Sequence, residues 1–191
     1  MLKKIRAFIT RLQPTSRLLI QMKNARNNNA ILALDALKER IAHKDGTLKA
    51  LDLSGAKLSK ATLAAADLEA IDFTGATLEH AYFHEANLQG AIFHKTVMIY
   101  ANLRSAKAQS ATFESATLTH ANFARADLSN VNFKNADLTN ANFWETNLKG
   151  VNFTGATLKG ATISDVTCDN RTILPDSSYW VETVDWKKYT T

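Results

Sequence analysis

Four of the five histidines, one cysteine and a scatter of carboxylates are the side chains here that could bind a metal or do chemistry. His80 and His120 stand forty residues apart with Tyr100 midway, and His84 and His94 lie near them. Such imidazoles could share a zinc ion only if the fold brought their nitrogens within about 2 Å of it. Cys168 is the lone thiol, so no internal disulfide and no CxxC metal site can form. A nucleophile needs a base and an orienting group within reach. No GxSxG, no phosphate-binding glycine loop and no HExxH occurs to supply them. The sequence therefore predicts no catalytic residue, no metal, no cofactor and no enzyme.

What positions these residues is a period of five. Leu51 to Asn170 divides without a gap into 24 pentapeptides. The central residue is Leu or Phe in 20 of them, and the residue two before it is Ala in 17, so the period is a property of the whole stretch. A helix cannot satisfy it, because 3.6 and 5 share no stripe. Three residues can alternate in, out and in, as on a pleated strand, while the next two turn a corner. The small residue and the central Leu or Phe then point inward, and the Asn, Asp or Thr between them points out. Gly46 to Ala50 reads as a lead-in unit.

This A(D/N)LXX pattern strongly resembles the pentapeptide-repeat family, over about 125 of the 191 residues. The resemblance implies a right-handed quadrilateral β-helix, an all-β solenoid with four pentapeptides and twenty residues per coil, here about six coils. The order of centres fits four sides independently. Phe73, Phe83, Phe93, Phe113, Phe123, Phe133, Phe143 and Phe153 alternate with Leu centres. At twenty residues per coil, Phe lines two opposite sides and Leu the other two. Six coils at about 4.8 Å each make a rod on the order of 30 Å long. His80 and His120 would then be two coils, roughly 10 Å, apart along the axis, too far to share a metal. Cys168 falls at a central, inward position and is expected to be a buried, inert thiol. Asn102, Asn122 and Asn142 would stack, as would Asn132 and Asn152, and could form amide ladders. One coil, 91–110, departs from the pattern. Met98 and Ala108 stand where Leu is expected, Leu103 where Phe is, and Thr96 where Ala is. Ala108 should leave a void or let a neighbour or the backbone move in.

A solenoid exposes its core at both ends and needs caps. Residues 29–45 read as an N-terminal capping helix, with Ile31, Leu34, Leu37 and Ile41 on one face. Before it, residues 1–28 read as a basic amphipathic arm in two short helical pieces broken at Pro14, which pack on the cap or on a second copy of the chain. Residues 46–170 are the repeat, and 171–191 a cap or tail in which Tyr179, Trp180, Trp186 and Tyr189 supply apolar cover. The "LPD…W…D" ending of that tail is similar to those of several bacterial pentapeptide-repeat proteins. A dimer contact through an end cap is the other reading.

The net charge of +5 is uneven. Residues 1–50 carry eleven basic and three acidic side chains, and residues 51–170 nine and twelve. Lys3, Lys4, Arg6, Arg11 and Arg17 could therefore meet an anionic membrane surface or partner. Direct nucleic-acid binding is disfavoured, since the basic residues are confined to the head and no reading element is apparent. No run of about 18 apolar residues exists, and no signal-peptide core is visible. A bacterial, cytoplasmic protein, with membrane-peripheral attachment as an alternative, is the expectation.

Two further expectations concern recognition. Tyr82, Ile92, Val97, Ile99 and Tyr100 occupy outward positions that are elsewhere polar, beside His80, His84, His94 and His120. Exposed apolar and aromatic residues close together signal a partner site. The rod is thus read as a non-catalytic interaction or scaffold module for an unknown protein. The resemblance also implies a second reading, protection of a type II topoisomerase by mimicry of duplex DNA. That needs dense negative charge, since duplex phosphates come about every 1.7 Å of axis, and residues 51–170 total only −3.

Overall fold

The computed structural model describes Leu34 and residues 48–191. The basic arm with Lys3, Lys4, Arg6, Arg11 and Arg17, and the helix expected over 29–45, lie outside the described residues apart from Leu34. That residue is helical and buried in the hydrophobic cluster of the rod.

The five-residue period appears as a corner. At every fifth residue from Ala50 to Asp165 the backbone enters the left-handed region, with φ between 52° and 69°. The next residue's N–H donates to the carbonyl three residues back, as Ala56 does to Leu53 at 3.1 Å. This is the pattern of a type II turn, which requires positive φ at its third residue. Between corners each side contributes one bridge residue, paired in parallel with the residue twenty positions on. The three extended residues expected per side thus yield single bridges rather than longer strands, because the corners leave no room to extend them.

Four rows of bridges run along the solenoid. The first side carries Asp52, Asp72, Ile92, Thr112, Asn132 and Asn152, and the second Lys57, Thr77, Val97, Thr117, Asp137 and Thr157. The third carries Thr62, Tyr82, Asn102, Asn122, Asn142 and Thr162, and the fourth Asp67, Asn87, Lys107, Asp127, Asn147 and Thr167. Chain order makes the first and third sides opposite. The register slips by one residue at the end, where Asn152 pairs with Ile173.

The core follows the alternation of Phe and Leu. On the first side, Phe93 and Phe113 stack at 4.5 Å between centroids with ring planes 1° apart. On the third, Phe123 and Phe143 stack at 5.3 Å. Across the core the two walls meet edge to face, as in Phe113 against Phe123 at 5.9 Å and 86°. Both geometries suit the ring quadrupole. The first inward position is Ala in most of the middle coils and is buried there, with Ile71, Val131 and Val151 buried at the same position. Thr96 and Thr146, which replace Ala there, bury their hydroxyls by donating to the carbonyls of Phe73 and Phe123, each at 2.9 Å.

The irregular coil keeps this frame. Met98 and Ala108 are fully buried, and the bridges Ile92↔Thr112 and Val97↔Thr117 hold the twenty-residue register. At the C-terminal end Trp186 lies edge-on to Phe153 at 6.2 Å, and Tyr189 lies against Trp186 at 6.3 Å. The short helix α1 (Lys187–Thr190) carries Tyr189 there, and Gly160 N–H donates to Thr190 O at 2.6 Å. Asp176 accepts from Lys188 Nζ at 2.6 Å and Tyr189 Oη at 2.8 Å, fastening the tail. Trp186 and Tyr189 thus supply the cover; Trp180 is half-buried and Tyr179 stays exposed.

Candidate interaction surface

The left-handed corner residues form columns along the rod, and one column is aromatic. His80, Tyr100 and His120 stack on the corner between the second and third sides. Their centroids are 5.1 and 4.6 Å apart and their planes within 8° and 9° of parallel. Tyr100 does this at φ 57°, a region bulky L-residues avoid. The interposed Tyr100 ring separates the two imidazoles, so no metal can bridge them. Asn140 Nδ2 continues the column 3.5 Å from His120 Nε2.

The far edge of the third side carries charge. His84 Nδ1 faces the carbonyl of Arg104 at 3.0 Å and its Nε2 the Glu85 carboxylate at 3.3 Å. Arg125 donates to Glu145 at 2.6 Å and lies 4.6 Å over the Trp144 ring. Trp144 Nε1 in turn donates to Asp165 at 3.2 Å. Trp144 is therefore part of a closed cluster with Arg125, Glu145 and Asp165. Its Arg125 partner comes from the preceding coil, which a linear reading does not show.

Between these edges lies the row Tyr82, Asn102, Asn122 and Asn142. Tyr82 is 41% exposed, and its ring is 5.9 Å from that of His84. The amide ladders expected here do not form. Asn102, Asn122 and Asn142 turn Oδ1 back to accept the N–H two residues on, at 3.0, 3.0 and 2.9 Å. Asn132 and Asn152 do the same. The local bond competes with the neighbour in the next coil and wins. Cross-coil amide bonds occur on the fourth side, where a carboxylate is the partner, as from Asn147 to Asp127 at 2.9 Å.

The nine residues expected to form one patch are divided by the fold. His80, Tyr82, His84, Tyr100 and His120 gather on the third side and its two corners. Ile99 shares the His80 corner and Val97 lies on the adjoining second side; both are half-buried. Ile92 and His94 belong to the first side and its corner, across the rod. Proximity in sequence placed them together, but ten residues is half a coil. Sequence reasoning missed Arg104, Asn102, Asn122 and Arg125, which line the third side with Tyr82 and His84. Their twenty-residue spacing from the patch residues was the signal available.

Cys168 is half-buried rather than buried, because it falls in the last, irregular turn. Burial, and then the Asp169 carboxylate, push its thiol up to about 12, so it remains a thiol at neutral pH.

A stack of left-handed corners every fifth residue, with aromatic and leucine walls inside, defines a pentapeptide solenoid. Family models described as "Pentapeptide repeat region" and "Pentapeptide repeats (8 copies)" match residues 66–143 and 132–167. The chain belongs to the pentapeptide-repeat proteins. No curated protein matches it. Among solved structures it is similar to a trypsin-treated variant of QnrB1, a plasmid-mediated fluoroquinolone resistance protein. Identity is 21% and TM-score 0.53, covering 64% of this chain and 69% of that one. HetL, involved in heterocyst differentiation regulation in the cyanobacterium Nostoc, is 22% identical with TM-score 0.30, covering 76% and 98%. A pentapeptide repeat protein of the Arabidopsis thaliana thylakoid lumen is 30% identical with TM-score 0.31, covering 62% and 69%. The QnrB1 likeness shows a shared fold.

Proposed function

We propose that this protein is a non-catalytic interaction module, a right-handed four-sided rod of about six coils that presents its third side to a protein partner. The observation that carries this reading is the concentration of Tyr82, the His80–Tyr100–His120 column and the Arg104–Arg125 edge on one side. Tyr and Arg are enriched in interface cores, and with His they supply contact area and directional bonds on this side. On the other sides Asn132, Asn147 and Asn152 hold Oδ1 in local bonds to the N–H two residues on, which favours passive scaffolding there.

The test is capture of partners from lysate of the source organism by the full chain and by a Tyr82→Asn/Tyr100→Asn variant. Asn continues the third-side row at 82 and tolerates positive φ at 100. The reading expects a partner held by the full chain, kept by a first-side Ile92→Thr variant and lost by the double variant. A partner indifferent to the double variant would overturn it.

A second reading, protection of a type II topoisomerase, is favoured by the fold shared with QnrB1. Charge opposes it, because twelve acidic and nine basic side chains over 51–170 are a poor copy of duplex phosphates. Retention of gyrase subunits by the full chain would favour it over an unrelated partner.

A further inference from the structure

We infer that the third side binds an acidic extended segment of a partner protein, seating a carboxylate between Arg104 and the side-chain amides of Asn102 and Asn122. This rests on the proposed interaction role and names the chemistry of the partner.

A cleft of about 490 Å³ lies along this side, lined by Tyr82, Asn102, Asn122, Arg104 and their corner neighbours. Its free hydrogen-bonding groups are predominantly donors. Asn102 and Asn122 each commit Oδ1 to a backbone N–H, which fixes the amide orientation and leaves Nδ2 to face a ligand. Among the described residues no acceptor faces the Arg104 guanidinium, whereas Arg125 is held by Glu145. Glu85, the one carboxylate in the lining, lies 3.3 Å from His84 Nε2, which engages it when the imidazole is protonated.

Donors without acceptors call for an anion, and a guanidinium with flanking amides suits a carboxylate. The cleft spans three coils, about 10 Å, which an extended peptide covers with about three to four residues. Tyr82 offers its ring to the adjoining chain. The head of this chain is a poor occupant, since residues 1–50 hold eleven basic and three acidic side chains.

The experiment is a titration of the full chain, labelled with nitrogen-15, with acetylated and amidated tetraglutamate. Side-chain signals of Asn102 and Asn122 and the backbone amide of Arg104 are followed by NMR. The expected result is a saturable shift at these three residues. Tetraglutamine should fail to reproduce it, and Arg104→Gln should weaken it about tenfold or more. Absence of a saturable shift, an equal shift with tetraglutamine, or indifference to Arg104→Gln would overturn the inference. So would an equal shift with inorganic phosphate at the same concentration, which would mark a free-anion site. Tighter binding of a single-stranded oligonucleotide at the same residues would also overturn it. If tetraglutamate fails while partner capture still depends on Tyr82 and Tyr100, the acidic-segment inference falls and the interaction reading stands. If both fail, both fall.

Discussion

Single residues in this rod work against their own preferences and are held by the frame. Lys60 sits at φ 64° on an exposed corner. The left-handed region costs an L-residue about 1–2 kcal/mol, and glycine's freedom in the unfolded chain returns about 0.4–1 kcal/mol of the gain. Lys60→Gly should therefore raise stability by about 0.5 kcal/mol in urea unfolding. A loss would mean that the Lys60 side chain does more than tolerate its corner. Thr96 is the opposite case, a polar residue made compatible with the core by one bond to Phe73 O. Thr96→Val keeps the shape and should cost about 1 kcal/mol. The substitution of Thr for Ala was legible in the sequence, but its reason was not. The acceptor lies 23 residues back and becomes a neighbour only once the coil is closed.

At the scale of the coil, stability comes from like residues stacking on like. Phe113 lies between Phe93 and Phe133, at 4.5 and 5.2 Å, with Phe123 edge-on. Phe113→Ala should cost about 3–5 kcal/mol, read as a shifted denaturation midpoint. Asp127 links three coils on the fourth side. Burial acts to raise its pKa, but donors from Ser129 at 3.0 Å, Gln109 at 2.7 Å and Asn147 at 2.9 Å outweigh it and hold the carboxyl below its ordinary range. With the folded value below the unfolded one, its stabilisation is complete above about pH 4 and is lost as pH falls through the folded pKa. Asp127→Asn should flatten the acid limb of the stability curve below about pH 4; an unchanged limb would contradict this. The walls of Phe and Leu were readable because the side chains announce the period. The Asn ladders were misread, because stacking distance alone does not decide between a neighbour in the next coil and the backbone two residues on.

For the whole molecule, the arithmetic of twenty decides what meets. Residues ten apart face away from each other, and residues twenty apart touch. That rule unites His80, Tyr100 and His120, brings Arg125 over the ring of Trp144, and sends Ile92 to the side opposite Tyr82. The period was available in the sequence. Grouping the patch by nearness along the chain rather than by remainder after twenty is what merged two sides into one. The caps were less legible, since they follow no period. Trp186 and Tyr189 were singled out from the same tail as Tyr179, which turned out exposed.

The claim that one side of the rod does the recognising is tested most directly by placing a photo-crosslinking benzoylphenylalanine at either of two positions in the full chain, in cells of the source organism. Position 82 is on the third side and position 92 on the first. The account predicts an adduct to a discrete partner from position 82 and none from position 92. An adduct from position 92 with none from position 82 would contradict it.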